Sequence, residues 1–424
     1  MGTEARVVVL PQDTSRLRIE ALTLPDPGPT QVVVKLFASG VCHSQLHQMH
    51  RPRTAPVILG HEATGSVLKV GSAVTHVAPG DTVLVTWVPR DAAAASQPPV
   101  RATLQVSDGI AQSENVFTWA DHTLADEQYV VKVDAAIPRD ITSIIGCAVM
   151  TGAGAVINTA GVKPGQSVAV FGVGGVGLSA IVGAKVAGAN PIIAVDLDDA
   201  KLEFAKAFGA THGINAGRED PVAAIHALTT RPGAYTILHT EVSGVDFAFD
   251  CIGIRKTMEQ IVPACRSGHF GARDGGTAVL VGVPSTNVEL NAMDVLLQEK
   301  HFIGSLGGSC APDRDFPTFL EWQRQGILKL EQLVTQRFSI DEINEATAAL
   351  EAAKEENDAE EMTKQAKRTI RVSKEQMQDV KTMLQLMGIP IVEAPSEAEA
   401  QCVEIVKKKK AYAVCTEDMD SLTF

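Results

Sequence analysis

The 424-residue sequence contains no pair of cysteines spaced as CxxC. Its seven cysteines (Cys42, Cys147, Cys251, Cys265, Cys310, Cys402 and Cys415) stand far apart. That excludes a disulfide-knitted small scaffold, a zinc finger and a thioredoxin-type motif. No apolar run is long enough to span a bilayer, so no membrane contact is expected. A basic start followed by a long apolar stretch is also missing: MGTEARVVVL meets charge at Glu4 and Arg6. Arg6 stands where an N-myristoylation motif needs Ser or Thr. Neither a secretory leader nor a lipid anchor is expected, and the cytosol is the default compartment. Positive charge is in deficit, with 37 Lys+Arg against 50 Asp+Glu and a formal net charge of −13. Broad, non-specific nucleic-acid binding by the whole chain is therefore not expected, although a local basic site is not excluded. There is no internal repeat.

The chain is too long for one ordinary core, so two or three domains are expected. Residues 5–35 alternate short apolar runs with turns: ARVVVL, LRIEAL, PDPGPT, QVVVKLFA. VILGHEATGSVLKV and DTVLVTWV continue the style, which suits a compact antiparallel β domain over about 1–150. Residues 90–115 have no clear period and read as an irregular loop. From 151 the pattern changes. VAVFGVG is a near-continuous apolar run, as a strand buried on both faces requires. GLSAIVGAKVAGA reads as helix, PIIAVD as strand, KLEFAKAFGA as helix, and VDFAFDCIG and TAVLVGVP as strands. Alternation of this kind predicts a parallel α/β sheet over about 151–288. Mixed elements follow to about 346, ending in the amphipathic helix IDEINEATAALEAA.

Gly172-Val173-Gly174-Gly175-Val176-Gly177 matches GxGxxG. The pattern alone is weak, but here it follows a strand, opens a helix and precedes Asp196 at the end of the next apolar strand. In that setting the glycines let backbone approach a pyrophosphate at a positive helix N-terminus. Asp196 suits the ribose hydroxyls and would repel a 2′-phosphate, so NAD is favoured over NADP. The bland alternative is a glycine-rich turn with an N-capping acid.

Cys42-His43-Ser44 with His47, then Gly60-His61-Glu62, and then Cys147 form a second constellation. One Cys, one His and one Cys from separate segments would make a three-ligand zinc site with its fourth position open. Spacing alone leaves this reading and buried cysteines with a structural histidine both open.

At this point the residues carry a resemblance. GVCHSQLH, VILGHEATG, IIGCAVMTG, VAVFGVGGVGLSAI, IIAVDLD and VLVGVP, in this order, resemble the medium-chain zinc alcohol dehydrogenase family over about residues 5–350. The resemblance implies an α/β protein: a GroES-like β-rich catalytic domain (1–150, resumed at 289–346) interrupted by a Rossmann doubly wound parallel sheet (151–288). It implies that Cys42, His61 and Cys147 bind catalytic zinc, with Glu62 just behind the metal. Ser44 and His47 fall where the family places its proton relay, and His43 where a pyrophosphate contact is expected. Lys201 matches a basic residue beside the adenosine ribose, and Thr151 and Val281 join Gly172, Gly174, Gly175, Val176, Gly177 and Asp196 as cofactor contacts. The implied reaction is alcohol oxidation with NAD, Ser44 passing the hydroxyl proton through the cofactor ribose to His47. The implied substrate is a small alcohol or aldehyde, with Trp87 as a pocket residue against plain core packing. A homo-oligomer is expected by family analogy.

The chain departs from the family in three ways. Many relatives hold a structural zinc on four cysteines after the GHE segment, but no cysteine lies between Cys42 and Cys147, so that zinc is expected to be absent. Gln45 stands where the family often has an Asp supporting the zinc histidine; its carbonyl oxygen can accept a hydrogen bond without charge, and looser zinc is expected. The strand that usually follows the DEINEA-type helix is missing or replaced, and TIRV is a candidate stand-in.

From about 347 the chain resembles something else. AKRTIRVSKEQ, LMGIPIVEAPSEAEAQCVEIVK and YAVCTEDMDSLTF resemble the internal nuclease region of flap endonucleases of the FEN/XPG type, an appended α/β fragment over 347–424. The resemblance implies that Glu397, Glu399, Asp418 and Asp420 are metal carboxylates suited to Mg²⁺. Ser396–Glu399 also reads as a helix capping box that needs no metal, and Lys407–Lys410 as a solvated helix end. The nuclease family draws further carboxylates and a DNA-binding helical motif from outside such a segment. Nuclease activity is therefore not expected, nor is nucleic-acid binding unless this fragment is functional; the alternatives to the dehydrogenase are a metal-dependent nuclease or DNA-binding segment at the C-terminus and a non-catalytic dinucleotide-binding protein.

Overall fold

The computed structural model describes residues 2–352, apart from 92, 231–241, 270 and 285. The nuclease-like fragment, with Glu397, Glu399, Asp418, Asp420 and TIRV, lies outside the described residues.

Two antiparallel-rich sheets form the N-terminal part. One runs in the order Arg18–Leu24, Thr3–Leu10, Val57–Ile58, Gly109–Gln112, Thr103–Val106. The other runs Val130–Lys132, Thr82–Val85, Ala63–Val70, Gln31–Ser39, His122–Asp126. Valines at 7, 9, 32, 33 and 34 are fully buried, as β-branched side chains on a pleated core face should be. The region 90–115 is not an irregular loop throughout: Thr103–Val106 and Gly109–Gln112 make a hairpin with Val106 opposite Gly109. Leu104, Val106 and Ala111 point into the core while Thr103 and Gln105 face out. Ser107 and Asp108 make the two-residue turn, and Gly109 follows at φ +137. The strands are only four residues each, too short to read as a period beside an otherwise unpatterned stretch.

A six-stranded parallel sheet follows in the order His212–Asn215, Ile192–Asp196, Val168–Phe171, Phe247–Asp250, Thr277–Leu280, His301–Gly304. The sixth strand lies beyond residue 288, so this sheet runs past the boundary drawn from the sequence. Chain order reverses between Val168–Phe171 and Phe247–Asp250. A crevice beyond the carboxyl ends of those two strands is where doubly wound sheets bind ligands. Val168–Phe171 is buried at every position.

Helix α1 (His43–His50) leaves the second sheet. Helix α2 (Ala148–Gly154) leads into the parallel sheet, and α3 (Gly175–Val186) follows its first strand. Glycines let α2 and α3 press together. A Cβ on Gly152 would stand 2.0 Å from the Val176 carbonyl oxygen, and one on Gly183 3.1 Å from the Ala153 backbone.

The final described segment returns to the N-terminal part. Residues 343–352 are helical. Ile343 packs with Val8, Leu10, Leu17, Leu46 and Trp119. Asn344 grips the Leu17 backbone, accepting from its N–H and donating to its carbonyl at 3.0 Å each. Among the described residues, no helix is long and apolar enough to cross a membrane.

Candidate active site

Strand pairing brings the first two segments together. Gln31–Ser39 runs antiparallel to Ala63–Val70, with Ser39 opposite Ala63. Cys42 and His61 therefore leave and enter adjacent strands at the same end. The Glu62 carbonyl gathers this corner, accepting from Ser39 Oγ (2.8 Å), Thr118 Oγ1 (3.1 Å) and Gly40 N–H (3.3 Å). The Trp119 indole N–H donates to the Gly40 carbonyl at 3.1 Å. Gly60 has φ +95, and a Cβ there would meet Thr118 Oγ1 and the Trp119 nitrogen at 2.5 Å. Thr118 and Trp119 thus clamp the corner, though neither carries a sequence signal beyond its polar or aromatic type.

The third segment arrives through the 3₁₀ turn Ile141–Gly146. Thr86 Oγ1 donates to the Gly146 carbonyl at 2.8 Å. Cys147 then caps the start of α2, and its carbonyl accepts from Thr151 N–H at 2.9 Å. One donor atom each from Cys42, His61 and Cys147 lies within 4.8 Å of the others. The two sulfurs are 3.9 Å apart. Ser44 Oγ donates to Cys42 Sγ at 3.3 Å. His61 Nε2 is buried with no hydrogen-bond partner, and so is Glu62 Oε2. Two soft sulfurs beside an orphaned imidazole nitrogen fit a zinc ion, which takes thiolate and imidazole ligands.

The electrostatics agree with a site short of positive charge. The hydrogen bond from the Cys147 thiol, with the nearby His61 imidazole and the Ser44 hydroxyl, holds Cys42 well below the ordinary thiol range against its burial. Cys147 is pushed up, first by that hydrogen bond and then by burial. Burial, and then the neighbouring Cys42 sulfur, push the Glu62 carboxyl well above the usual carboxylate range. A bound cation would bring Cys147 and Glu62 down and favour the Cys42 thiolate further.

Gln45 differs from its expected use. Its side-chain oxygen accepts from the Cys42 N–H at 3.2 Å, and its amide nitrogen, rather than the oxygen, stands against His61 Nδ1. Of the relay candidates, Ser44 and His47 are half-buried on α1 and His43 is exposed at its first position. Trp87 approaches the cluster, its ring centroid 6.3 Å from that of His61.

The glycine turn lies at the carboxyl end of Val168–Phe171. Gly172 has φ +86, and a Cβ on Gly177 would stand 1.8 Å from the Gly172 carbonyl oxygen. Gly174, by contrast, has nothing within 4 Å of an added Cβ, and no side chain caps α3. An open glycine beside an uncapped helix N-terminus fits a phosphate group. Asp196 Oδ2 accepts from Val173 N–H at 2.9 Å, and its Oδ1 from the N–H groups of Leu197 (2.8 Å) and Asp198 (3.2 Å). The carboxylate therefore braces the turn, leaving part of its accepting capacity for a ligand. Val176 is half-buried near the start of α3, and Thr151 is buried on α2. Lys201 sits in the helix Asp199–Phe208. Val281, just past the strand Thr277–Leu280, is buried and donates its N–H to the Asp250 carbonyl at 2.9 Å.

Sequence reading missed Asp250. Fully buried at the end of the neighbouring central strand, it accepts from Thr257 Oγ1 (2.8 Å) and the N–H groups of Gly253 (3.0 Å) and Ile252 (3.1 Å). It shapes the far wall of the crevice, where Ile252 would meet any Cβ on Gly172 at 2.3 Å. An acid closing an apolar strand, as in VDFAFD, is the signal that could have found it.

Comparison with known proteins gives matches in the same places. Residues 28–135 match the alcohol dehydrogenase GroES-like domain, and residues 175–325 the zinc-binding dehydrogenase domain. Residues 388–424 match the XPG I-region. The chain is 32% identical over 370 residues to an alcohol dehydrogenase class-3 of Cereibacter sphaeroides, covering 81% of this chain and 95% of that relative. It is 32% identical over 355 residues to an S-(hydroxymethyl)glutathione dehydrogenase of Paracoccus denitrificans, covering 77% and 92%. The crystal structure of benzyl alcohol dehydrogenase from Acinetobacter calcoaceticus superposes with a TM-score of 0.70 at 30% identity, covering 83% of this chain and 97% of that one.

Proposed function

This chain belongs to the zinc-dependent alcohol dehydrogenase family, and from that premise we propose how it moves a hydride between an alcohol or aldehyde and NAD. The observation that carries the reading is the cluster of Cys42, His61 and Cys147 donor atoms within 4.8 Å. These three residues would hold zinc, and Gly172, Gly174, Gly175, Val176, Gly177 and Asp196 would hold NAD, with Thr151, Val281, His43 and Lys201 at its edges. When bound, zinc acts as a Lewis acid that lowers the pKa of an alcohol, and NAD takes up the hydride. Ser44, its hydroxyl 3.3 Å from the Cys42 sulfur, takes the alcohol proton. Ser44 releases its own proton through the cofactor ribose to His47, which lies three residues on along α1 and is the final acceptor. Glu62 is buried behind the cluster, where its carboxylate would balance the charge of a bound ion.

The substrate is an alcohol or its aldehyde whose reacting carbon comes to the cluster beside Trp87. The names of the relatives favour two classes, an aromatic alcohol and a glutathione adduct of formaldehyde. The chain carries one zinc and no structural zinc. It works as a homo-oligomer in the cytosol. The GroES-like part spans 1–150 and resumes after the sixth parallel strand. The match at 388–424 supports a nuclease-like origin for the tail, with Glu397, Glu399, Asp418 and Asp420 as candidate Mg²⁺ ligands, but not turnover. Growth of NADH absorbance across a panel of alcohols, with metal analysis, tests the reading. One zinc per chain is expected, and Cys42→Ser should abolish both signals. Flap-DNA cleavage that requires Asp418 would instead favour the nuclease.

A further inference from the structure

We propose that Gln45 is a positioning residue that sets the tautomer of His61 and holds zinc more loosely than a carboxylate at the same place would. The inference rests on the reading that Cys42, His61 and Cys147 hold the ion.

Gln45 lies in the first turn of α1 with 1% of its surface exposed, so water does not compete for its amide. The amide touches two groups. The backbone N–H of Cys42 donates to Oε1 at 3.2 Å, and His61 Nδ1 lies against Nε2. An amide offers one accepting oxygen and one donating nitrogen. With its nitrogen against Nδ1, it requires Nδ1 to accept. A neutral imidazole then carries its proton on Nε2, the nitrogen that is buried and unpartnered. Gln45 occupies Nδ1, so Nε2 is the nitrogen left for a metal, and a ligating nitrogen must be bare.

Ligation through Nε2 therefore moves the proton to Nδ1, which becomes a donor. Gln45 must then turn its oxygen toward His61. That turn points its amide N–H bonds at the N–H of Cys42, donor against donor in a buried site. No orientation of an amide satisfies both neighbours once His61 ligates. A carboxylate accepts from both. Gln45 thus stabilises the metal-free tautomer, and zinc binding works against it. Partners behind a metal-bound histidine typically change metal affinity roughly 10- to 100-fold.

The test compares the full-length chain with Gln45→Glu, which keeps side-chain length. Nitrogen-15 NMR of histidine-labelled, zinc-free protein in alkaline solution reads where the His61 proton sits. The expected result is Nε2 in the parent and Nδ1 in Gln45→Glu. Competition for Zn²⁺ against a chromophoric chelator should then show roughly 10-fold or tighter binding by the variant. A parent with its proton already on Nδ1 overturns the proposal, and that measurement needs no variant. Tighter zinc without a change of tautomer overturns it too, because added charge alone would do that. Zinc uptake indifferent to Cys42→Ser would instead remove the three-ligand reading beneath it, a failure visible separately from the tautomer.

Discussion

Gly174 and Gly177 belong to one turn, yet adding a methyl group to each should do opposite things. At Gly177 the new Cβ would stand 1.8 Å from the Gly172 carbonyl oxygen, a backbone atom that cannot rotate away. Relief requires the first strand and α3 to separate. Overpacking of this kind costs about 1–3 kcal/mol, or more where the neighbour is backbone. At Gly174 the backbone has φ −75 and ψ −167, ordinary extended geometry, and nothing lies within 4 Å of the new Cβ. Gly174→Ala should therefore leave stability within about 0.5 kcal/mol. Its methyl group would stand where a pyrophosphate must approach the α3 N-terminus. Losing one charge-assisted hydrogen bond costs about 1.5–3 kcal/mol, which weakens binding about 10- to 150-fold. Thermal melts and NADH fluorescence titrations separate the two effects. Gly174→Ala should melt like the parent and bind NADH poorly, and Gly177→Ala should melt several degrees lower. A Gly174→Ala protein that binds NADH as the parent does would refute the cradle. One that melts with Gly177→Ala would refute the open space at that glycine.

Other predictions rest on separate contacts. Asn344→Ala leaves both the N–H and the carbonyl of Leu17 without their side-chain partner. It should cost about 1–3 kcal/mol, read as a lower urea midpoint with unchanged NADH affinity. Asp246 is buried beside Ser167 and Arg266, accepting from Ser167 N–H and Oγ at 2.8 Å each and from Arg266 Nε at 2.6 Å. Burial alone would raise its pKa, but these donors outweigh burial and hold it below the ordinary carboxylate value. A depressed carboxylate contributes stability that is present above its unfolded pKa of about 3.9 and lost as pH falls through the folded value. Asp246→Asn should lower stability at neutral pH and flatten the acid limb of a melting-temperature profile; an unchanged acid limb would count against the assignment. Replacing Trp87 by Ala should admit bulkier alcohols, seen as a lower KM for a branched substrate than for ethanol. An unchanged preference would return Trp87 to the core.

The sequence by itself determined the parts whose signal is local. VAVFGVGGVG followed by PIIAVD announces strand, phosphate turn, helix and acid within one short stretch, because Gly177 packs on the Gly172 carbonyl within the turn and Asp196 closes the next strand. Gly177 and Asp196 are held by the turn itself, whereas Gly172 also faces Ile252 from a distant segment. Buried valines in the first sheets likewise follow from alternation along single strands. Only tertiary structure decided what depends on distant segments meeting. Cys42, His61 and Cys147 share one volume because Ser39 pairs with Ala63 and because Thr86 holds Gly146, contacts set by sheet register. The hairpin at 103–112 draws its order from the core beneath Leu104 and Ala111, not from its own short period. The orientation of Gln45 was equally invisible. Its residue type states that it can donate and accept, while the fold, by placing the N–H of Cys42 on one side and His61 on the other, decides which end faces the histidine.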